Sequence, residues 1–382
     1  MQVLHPAIRS REINNGNGLS MHLLEAGFED PDRPLVLLLH GFPELAYSWR
    51  NVMLPLADAG YRVVALDQRG YGRTTGWNDD YSSDLASFAI PNLVRDILGL
   101  VWALGRQNVL AVVGHDFGSP VAAYCALLRP DVFQSVVMMS APFAGPPPAT
   151  EFPVGTVAVC DEQTAQSTPT IHASLAALER PRKHYQWYYS TPEANDDMCH
   201  CSQGVHDFLR AYFHYKSADW AGNRPFHLNA WSAGELAKLP TYYVMDLDLG
   251  MAETVAPYMP AADAIADCMW LSETELEVYS SEYGRTGFQG GLQWYRCATS
   301  ETENNALRLW AGRTIDVPSL FVAGKSDWGV YQKPGAFEAM QASACTRMEE
   351  CHLVTGAGHW VQQEQPEAVG RILNEFLGRQ HG

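Results

Sequence analysis

Six short apolar runs constrain this chain more than any other feature: Leu35–Leu39, Val63–Leu66, Val109–Val113, Val136–Met139, Leu320–Ala323 and His352–Val354. A strand with one wet face alternates polar and apolar residues. Runs without alternation belong to strands covered on both faces, as in parallel sheets. Helical patterns fill the spaces around them, at Trp49–Ala59, Leu93–Leu104, Val121–Leu128 and Pro366–Leu377. Strands alternating with helices through right-handed crossovers predict an α/β fold built on a mostly parallel, doubly wound sheet.

The middle of the chain follows a different pattern. From about Phe143 to Asn305 it is rich in aromatics and has no recurring strand signal. Pro146-Pro147-Pro148 marks the departure, because a proline run continues neither helix nor sheet. The expected organisation is a core from residues 1–142 and 306–382, with residues 143–305 inserted as a mainly helical cap over the sheet.

Composition excludes several classes. Of 382 residues 47% are apolar, enough to bury a large core and too many for a disordered chain. Acids outnumber bases 43 to 26, for a net charge of −17, and no basic run occurs. Nucleic-acid binding needs clustered Lys and Arg against phosphates, so no nucleic-acid partner is expected. Met1 to Asn14 lacks the apolar stretch of a signal peptide, and the longest apolar runs are strand-sized, too short to span a bilayer. The expectation is a cytoplasmic protein without a membrane span; a homo-oligomer is compatible with it. Eight cysteines read as thiols in such a compartment. Cys199-His200-Cys201 with His206 nearby lacks paired C-x-x-C spacing, and no metal site is expected.

The chemistry concentrates at one turn. The run Val109–Val113 leads into Gly114-His115-Asp116-Phe117-Gly118-Ser119 and then into a helical segment beginning at Pro120. This is a strand–elbow–helix arrangement in which small residues flank a nucleophile on a turn too tight for side chains. Asp116 holds the nucleophile position, while Ser119 lies past the elbow in the first helical turn. A carboxylate attacking a carbonyl would give an anhydride, a poor route to hydrolysis. On a saturated carbon bearing a leaving group it gives an ester that water can open. The electrophile is therefore expected to be an epoxide or an alkyl halide. Hydrolysing that ester takes a base and a group to orient it. His359 follows the strand ending at Val354, and Asp327 follows the one ending at Ala323. Both fall at carboxyl ends of strands, where open α/β sheets bind ligands, whereas Asp316 precedes its strand and falls on the other edge. The order Asp116, Asp327, His359 is nucleophile, acid, base.

With these residues in hand, the chain resembles the epoxide hydrolases of the α/β-hydrolase fold. The resemblance rests on His40-Gly41-Phe42-Pro43-Glu44, Asp67-Gln68-Arg69-Gly70-Tyr71-Gly72, Gly114-His115-Asp116-Phe117-Gly118 and Gly358-His359-Trp360. It implies an oxyanion hole from the N–H groups of Phe42 and Phe117, a cis Phe42–Pro43 bond, and Glu44 as an aid to placing water. It further implies two cap tyrosines that bind and protonate the epoxide oxygen. Tyr185, in Lys183-His184-Tyr185-Gln186-Trp187-Tyr188, looks like the first; Tyr295, in Leu292-Gln293-Trp294-Tyr295-Arg296, looks like the second. The chemistry supports this pair: the leaving oxygen stays attached as an alkoxide, and a phenol is still protonated at neutral pH and able to donate. His40, Pro43, Trp187, Trp294 and Trp360 are expected to line the substrate pocket. Cap aromatics Trp187, Phe208, Tyr212, Phe213 and Trp231 suggest a sizeable apolar or aromatic epoxide. No cofactor is implied. Phe117 stands where the family often has Trp, and the cap is longer than usual. Two other readings share the residues: a haloalkane or haloacid dehalogenase, and a non-catalytic binding protein on the same fold.

Overall fold

A computed structural model describes residues 4–149 and 170–380. Its frame is an eight-stranded sheet. The strands are β1 (Arg9–Asn14), β2 (Ser20–Ala26), β3 (Leu35–Leu39), β4 (Arg62–Leu66), β5 (Ala111–His115), β6 (Val136–Met139), β9 (Ser319–Gly324) and β10 (Met348–Val354). They lie in the order β1-β2-β4-β3-β5-β6-β9-β10. From β4 to β10 every pairing is parallel, and all residues of β3, β4, β5, β6 and β9 are buried. Each of the six apolar runs contributes to one of these strands. Helices α1 (Arg50–Asp58), α2 (Ile90–Ala103) and α3 (Gly118–Leu128), with the C-terminal helix Pro366–Gln380, match the expected helical patterns to within a few residues.

Two features depart from the sequence reading. The first is an antiparallel hairpin, β1 and β2, which joins the sheet through β4. Polar residues dominate β1, and β2 carries a wholly buried Glu25. Arg9 and Arg11 approach its Oε2 at 2.6 and 2.5 Å, and Arg62 of β4 its Oε1 at 2.9 Å. Burial opposes ionisation of Glu25, but the guanidinium groups of Arg11, Arg62 and Arg9 outweigh it and hold the carboxyl down at about 2. The ion cluster sits beside buried apolar residues of the same strand, Met21, Leu23, Leu24 and Ala26, and the charged and polar residues between them break the continuous run that marks the other strands. Second, β5 runs two residues past the apolar stretch. Its register against β3 pairs Leu39 with Gly114, which carries the strand to the edge of the elbow.

Between β6 and β9 the described chain leaves the large sheet. It forms helices from Ile171 to Leu307 and one unexpected two-stranded ribbon, β7 (Arg182–His184) against β8 (Val244–Asp246). The longer helices are Gly204–Lys216, Glu273–Thr286 and Gln289–Thr299. This cap is fastened to the core by buried polar contacts as well as apolar ones. Arg50 of α1 meets Glu275 at 2.9 Å and donates to the Trp270 carbonyl at 3.0 Å, and the Trp294 indole donates to the Arg69 carbonyl at 2.9 Å. Among the described residues no helix is long and apolar enough to cross a membrane.

Candidate active site

The elbow after β5 is built as the spacing requires. Asp116 has φ 50°, a left-handed conformation that costs a side-chain-bearing residue about 1–3 kcal/mol. Its N–H donates to the Met139 carbonyl at 3.2 Å, and its carbonyl accepts from Ser119 at 3.0 Å. The flanking glycines are needed for close approach. A Cβ on Gly114 would lie 2.0 Å from the Gly118 carbonyl oxygen, and one on Gly118 2.5 Å from that of Leu39. Ser119 sits inside α3 with its hydroxyl given to the Ala141 carbonyl at 2.6 Å, away from the nucleophile position.

The Asp116 carboxylate is held at both oxygens. Oδ1 accepts the Phe42 N–H at 3.0 Å, and Oδ2 lies 3.3 Å from His359 Nε2. Burial alone would raise its pKa. The hydrogen bond and electrostatic pull of His359, followed by the charges of Lys216 and His115, override that and put the carboxyl well below the usual range, so the group is ionised throughout the neutral region. The Phe42–Pro43 bond is cis.

His359 is buried, with Nδ1 3.1 Å from Asp327 Oδ1. Asp327 is buried too. The positive charge and hydrogen bond of His359, with help from Ser140, overcome the burial penalty and lower its pKa. The structure thus brings Asp116, His359 and Asp327 into one line, at the exits of β5, β10 and β9. Asp316 lies at the opposite end of β9, tied to the hydroxyls of Thr314 and Thr346 at 2.8 Å each. Ser140 is a member that the sequence reading missed. It directly follows β6, has φ 67°, donates to Asp327 Oδ2 at 2.5 Å and lies 2.9 Å from His359 Nδ1. Its position was legible in one respect, since it too lies at the carboxyl end of a strand.

Glu44 is fully buried and does not face solvent. Its Oε2 lies 2.5 Å from His115 Nδ1 and accepts the Gly41 N–H at 3.2 Å, while Oε1 accepts from Gln362 at 2.8 Å. The other His115 nitrogen, Nε2, lies 2.7 Å from the His359 carbonyl oxygen. Both ring nitrogens of His115 thus face acceptors, which requires both to carry protons. Burial disfavours that charge, but Glu44 raises the His115 pKa and His115 in turn lowers that of Glu44. This buried ion pair lies directly behind the His359 backbone.

A cavity of about 430 Å³ opens over Asp116, within the usual range for small-molecule sites. Tyr185, directly after β7, and Tyr295, on the helix Gln289–Thr299, both line it. Their rings are 5.8 Å apart, and the Tyr295 ring packs edge-on against Phe42 and Phe117. The Tyr185 hydroxyl donates to Gln332 at 3.2 Å. Burial first, then the Asp116 charge, raises both phenols well above their ordinary value, so both remain protonated donors. The neighbouring tyrosines serve elsewhere: Tyr188 donates to Asp197 at 3.0 Å and Tyr189 to Tyr212 at 3.5 Å.

Of the expected pocket residues, Trp187 and Trp294 line the cavity, together with Phe88, Phe143 and Trp231. His40, Pro43 and Trp360 do not, and each has a structural task instead. His40 is buried, with Nδ1 2.8 Å from the Gly41 carbonyl oxygen and Nε2 accepting the Gln68 N–H at 3.2 Å; burial lowers its pKa, consistent with a neutral ring. Pro43 follows Phe42 through the cis bond, next to the residue whose N–H meets Asp116. Trp360 is completely buried, stacks near His359 and Phe213, and donates to the Phe213 carbonyl at 2.8 Å. Phe208, Tyr212 and Phe213 likewise pack within the cap, against Phe288, Lys216 and Trp360. His200 pairs with Asp196, and His206 with Asp207 and Glu273. Among the described residues no group of three or more His, Cys, Asp or Glu forms a metal cage. Cys160 lies outside the described residues; the other seven cysteines are free thiols.

Comparison with known proteins agrees with this geometry. The alpha/beta hydrolase fold family matches residues 34–237. Over 375 residues, 96% of this chain and 97% of the relative, the sequence is 32% identical to epoxide hydrolase B of Mycobacterium tuberculosis. It is 29% identical to epoxide hydrolase 3 of Siraitia grosvenorii, over 96% of this chain and 97% of that one. Among solved structures, an epoxide hydrolase from an endophytic Streptomyces superposes with a TM-score of 0.75 at 30% identity, covering 98% of this chain and 96% of that chain. Potato (Solanum tuberosum) epoxide hydrolase I superposes with a TM-score of 0.73 at 28% identity, covering 97% and 99%. The carboxylate at the elbow, with His359 and Asp327 beside it, and the likeness over nearly the whole chain lead to one assignment: the protein belongs to the epoxide hydrolases of the α/β-hydrolase fold.

Proposed function

We propose that the protein converts an epoxide and water into a vicinal diol through a covalent ester on Asp116. The observation that carries this reading is that the elbow carboxylate of Asp116 and the buried phenols of Tyr185 and Tyr295 line one cavity, with the carboxyl pKa lowered and both phenol pKa values raised. Oδ1 is engaged by the Phe42 N–H, so Oδ2 attacks a ring carbon in line. The C–O bond on that carbon breaks, and its electron pair goes to the epoxide oxygen. Tyr185 and Tyr295 hydrogen-bond that oxygen, and one of them supplies the proton.

The second half begins with a neutral hydroxyalkyl ester. Asp327 holds the Nδ1 proton of His359, so Nε2 has the lone pair that takes a proton from water. The resulting hydroxide equivalent adds to the Asp116 carbonyl carbon. Negative charge develops on Oδ1, in the hole formed by the N–H groups of Phe42 and Phe117. Collapse breaks the bond from the Asp116 carbonyl carbon to Oδ2; the leaving oxygen takes the proton held on His359 and departs as the diol, and the acid proton remaining on Asp116 returns to the phenolate, restoring carboxylate and phenol. Glu44, behind His115, helps to fix the water and the loop against which it sits. The apolar and aromatic cavity wall favours an apolar or aryl-substituted epoxide.

Isotope labelling tests the ester directly. A single turnover in ¹⁸O water, with enzyme in excess, should place the label in the Asp116 carboxylate and none in the first diol, read by peptide mass spectrometry. Label appearing only in the diol would overturn the covalent route. A second experiment addresses Ser140. Losing one hydrogen bond to a charged group costs about 1.5–3 kcal/mol, so Ser140→Ala should slow ester hydrolysis roughly 10- to 100-fold. Ring opening should be close to unchanged in a rapid-quench measurement.

A further inference from the structure

The mechanism above leaves unused a buried acid just past the base, Glu364, at the end of the short helix Val361–Glu364, whose carboxyl burial pushes up to about 8. All its hydrogen bonds go to backbone N–H groups. Oε1 accepts from Trp360 at 2.9 Å, and Oε2 accepts from Gly358 at 2.9 Å and Ala218 at 2.8 Å. Gly358 and Trp360 are the residues on either side of His359, and Ala218 belongs to the cap segment that follows the helix Gly204–Lys216. The amide between them, that of His359, donates to the Lys216 carbonyl of the same cap segment at 2.9 Å. Three successive amides of the base loop are thus secured, two by Glu364 and one by the cap backbone.

The fit leaves no slack. A Cβ on Gly358 would lie 2.5 Å from the Ser217 carbonyl carbon and 2.6 Å from the Ala218 nitrogen, so the cap backbone rests directly on the loop. Glu364 also forms part of the wall of a second cavity, of about 580 Å³, lined by core and cap residues.

We propose that Glu364 is a positioning residue for the second half-reaction, tying the loop that carries His359 to the cap segment at Ala218 so that the base is in place only while the cap is seated. This rests on the Asp116 ester reading. It predicts a split that a general structural role would not produce. Ring opening depends on Asp116, Tyr185 and Tyr295, none of which Glu364 touches; ester hydrolysis depends on His359, whose two neighbours it holds.

Glu364→Gln keeps the volume and turns one acceptor oxygen into a donor, so at least one of the three N–H groups loses its partner. Single-turnover rapid-quench mass spectrometry with styrene oxide then reads both halves. The expected result is ester hydrolysis slowed roughly 10- to 100-fold, the scale on which small misplacements of a reacting group act, with ring opening within about threefold of wild type and ester accumulating on Asp116. Ala218→Pro deletes the cap-side N–H and sets a ring methylene against Glu364 in its place. Ser217 is already extended at ψ 173°, as a residue before proline must be, so this variant should slow the same step in the same direction, and it carries the test if Glu364→Gln does not fold. Equal slowing of both halves, or hydrolysis at the wild-type rate in the variants, would overturn the proposal. His359→Gln in the same series separates the two failures. If it accumulates ester while the Glu364 and Ala218 variants do not, the positioning role falls alone. Absence of ester in His359→Gln overturns the covalent reading and the inference with it.

Discussion

Asp116→Ala removes diol formation by about a millionfold, the scale reported by deleting the nucleophile of a hydrolytic triad and equivalent to about 8 kcal/mol of barrier. The reason lies in what would remain. His359 and Asp327 can still activate water, and the tyrosines can still engage the epoxide oxygen, but the water they activate is aimed at the Asp116 carbonyl carbon. The two carboxylates packed closest around the elbow, Glu44 and Asp327, are not free to take the place of Asp116. Glu44 is committed to His115, Gly41 and Gln362, and Asp327 to His359, Ser140 and Gly329. Initial-rate assays of diol formation, with circular dichroism to verify the fold, decide the matter. Turnover at the wild-type rate would sink the scheme.

The second large effect belongs to the tyrosines. Removing one hydroxyl leaves the other as donor, and each single Phe variant should lose roughly 10²- to 10⁴-fold, the usual contribution of general acid catalysis. In Tyr185→Phe/Tyr295→Phe the opening oxygen would depart as a bare alkoxide in a closed cavity. Ring opening should then fall below detection in rapid-quench measurements, a larger loss than either single change. Phe keeps the ring packing against Phe42 and Phe117, so the comparison isolates the two O–H groups. A double variant with wild-type epoxide opening would mean that the electrophile is of another kind. The surroundings are unfavourable to a halide, however: Phe117 has no side-chain N–H, and the Trp294 indole N–H is spent on the Arg69 carbonyl.

Much of this site was readable from short-range pattern. Gly114 and Gly118 announced the elbow because no side chain fits where their α-hydrogens sit. Asp327 and His359 stood out because each follows an apolar strand, and a parallel sheet delivers every such residue to the same edge. The hairpin β1–β2 escaped for the opposite reason, since polar residues interrupt its apolar ones and the buried Glu25 is stabilised by Arg9 and Arg11 of β1 and by Arg62 of β4. The pocket assignment failed at His40, Pro43 and Trp360, since a motif residue can serve the backbone of the site as well as its surface. Glu44 shows the same limit. An acid in this loop reads as an aid to placing water, and the structure encloses it between His115 and Gln362.

By itself, then, the amino-acid order determined the doubly wound sheet, the acidic nucleophile on its elbow, and the acid and base that serve it, because each depends on residues within a few positions of one another. The tertiary structure alone decided that Tyr185 and Tyr295 share one cavity with Asp116, that Ser140 joins Asp327 and His359, and that Glu364 ties the base loop to the cap. Those contacts join segments that are distant in the chain, and their lengths depend on how the whole cap settles on the sheet, which no local pattern records.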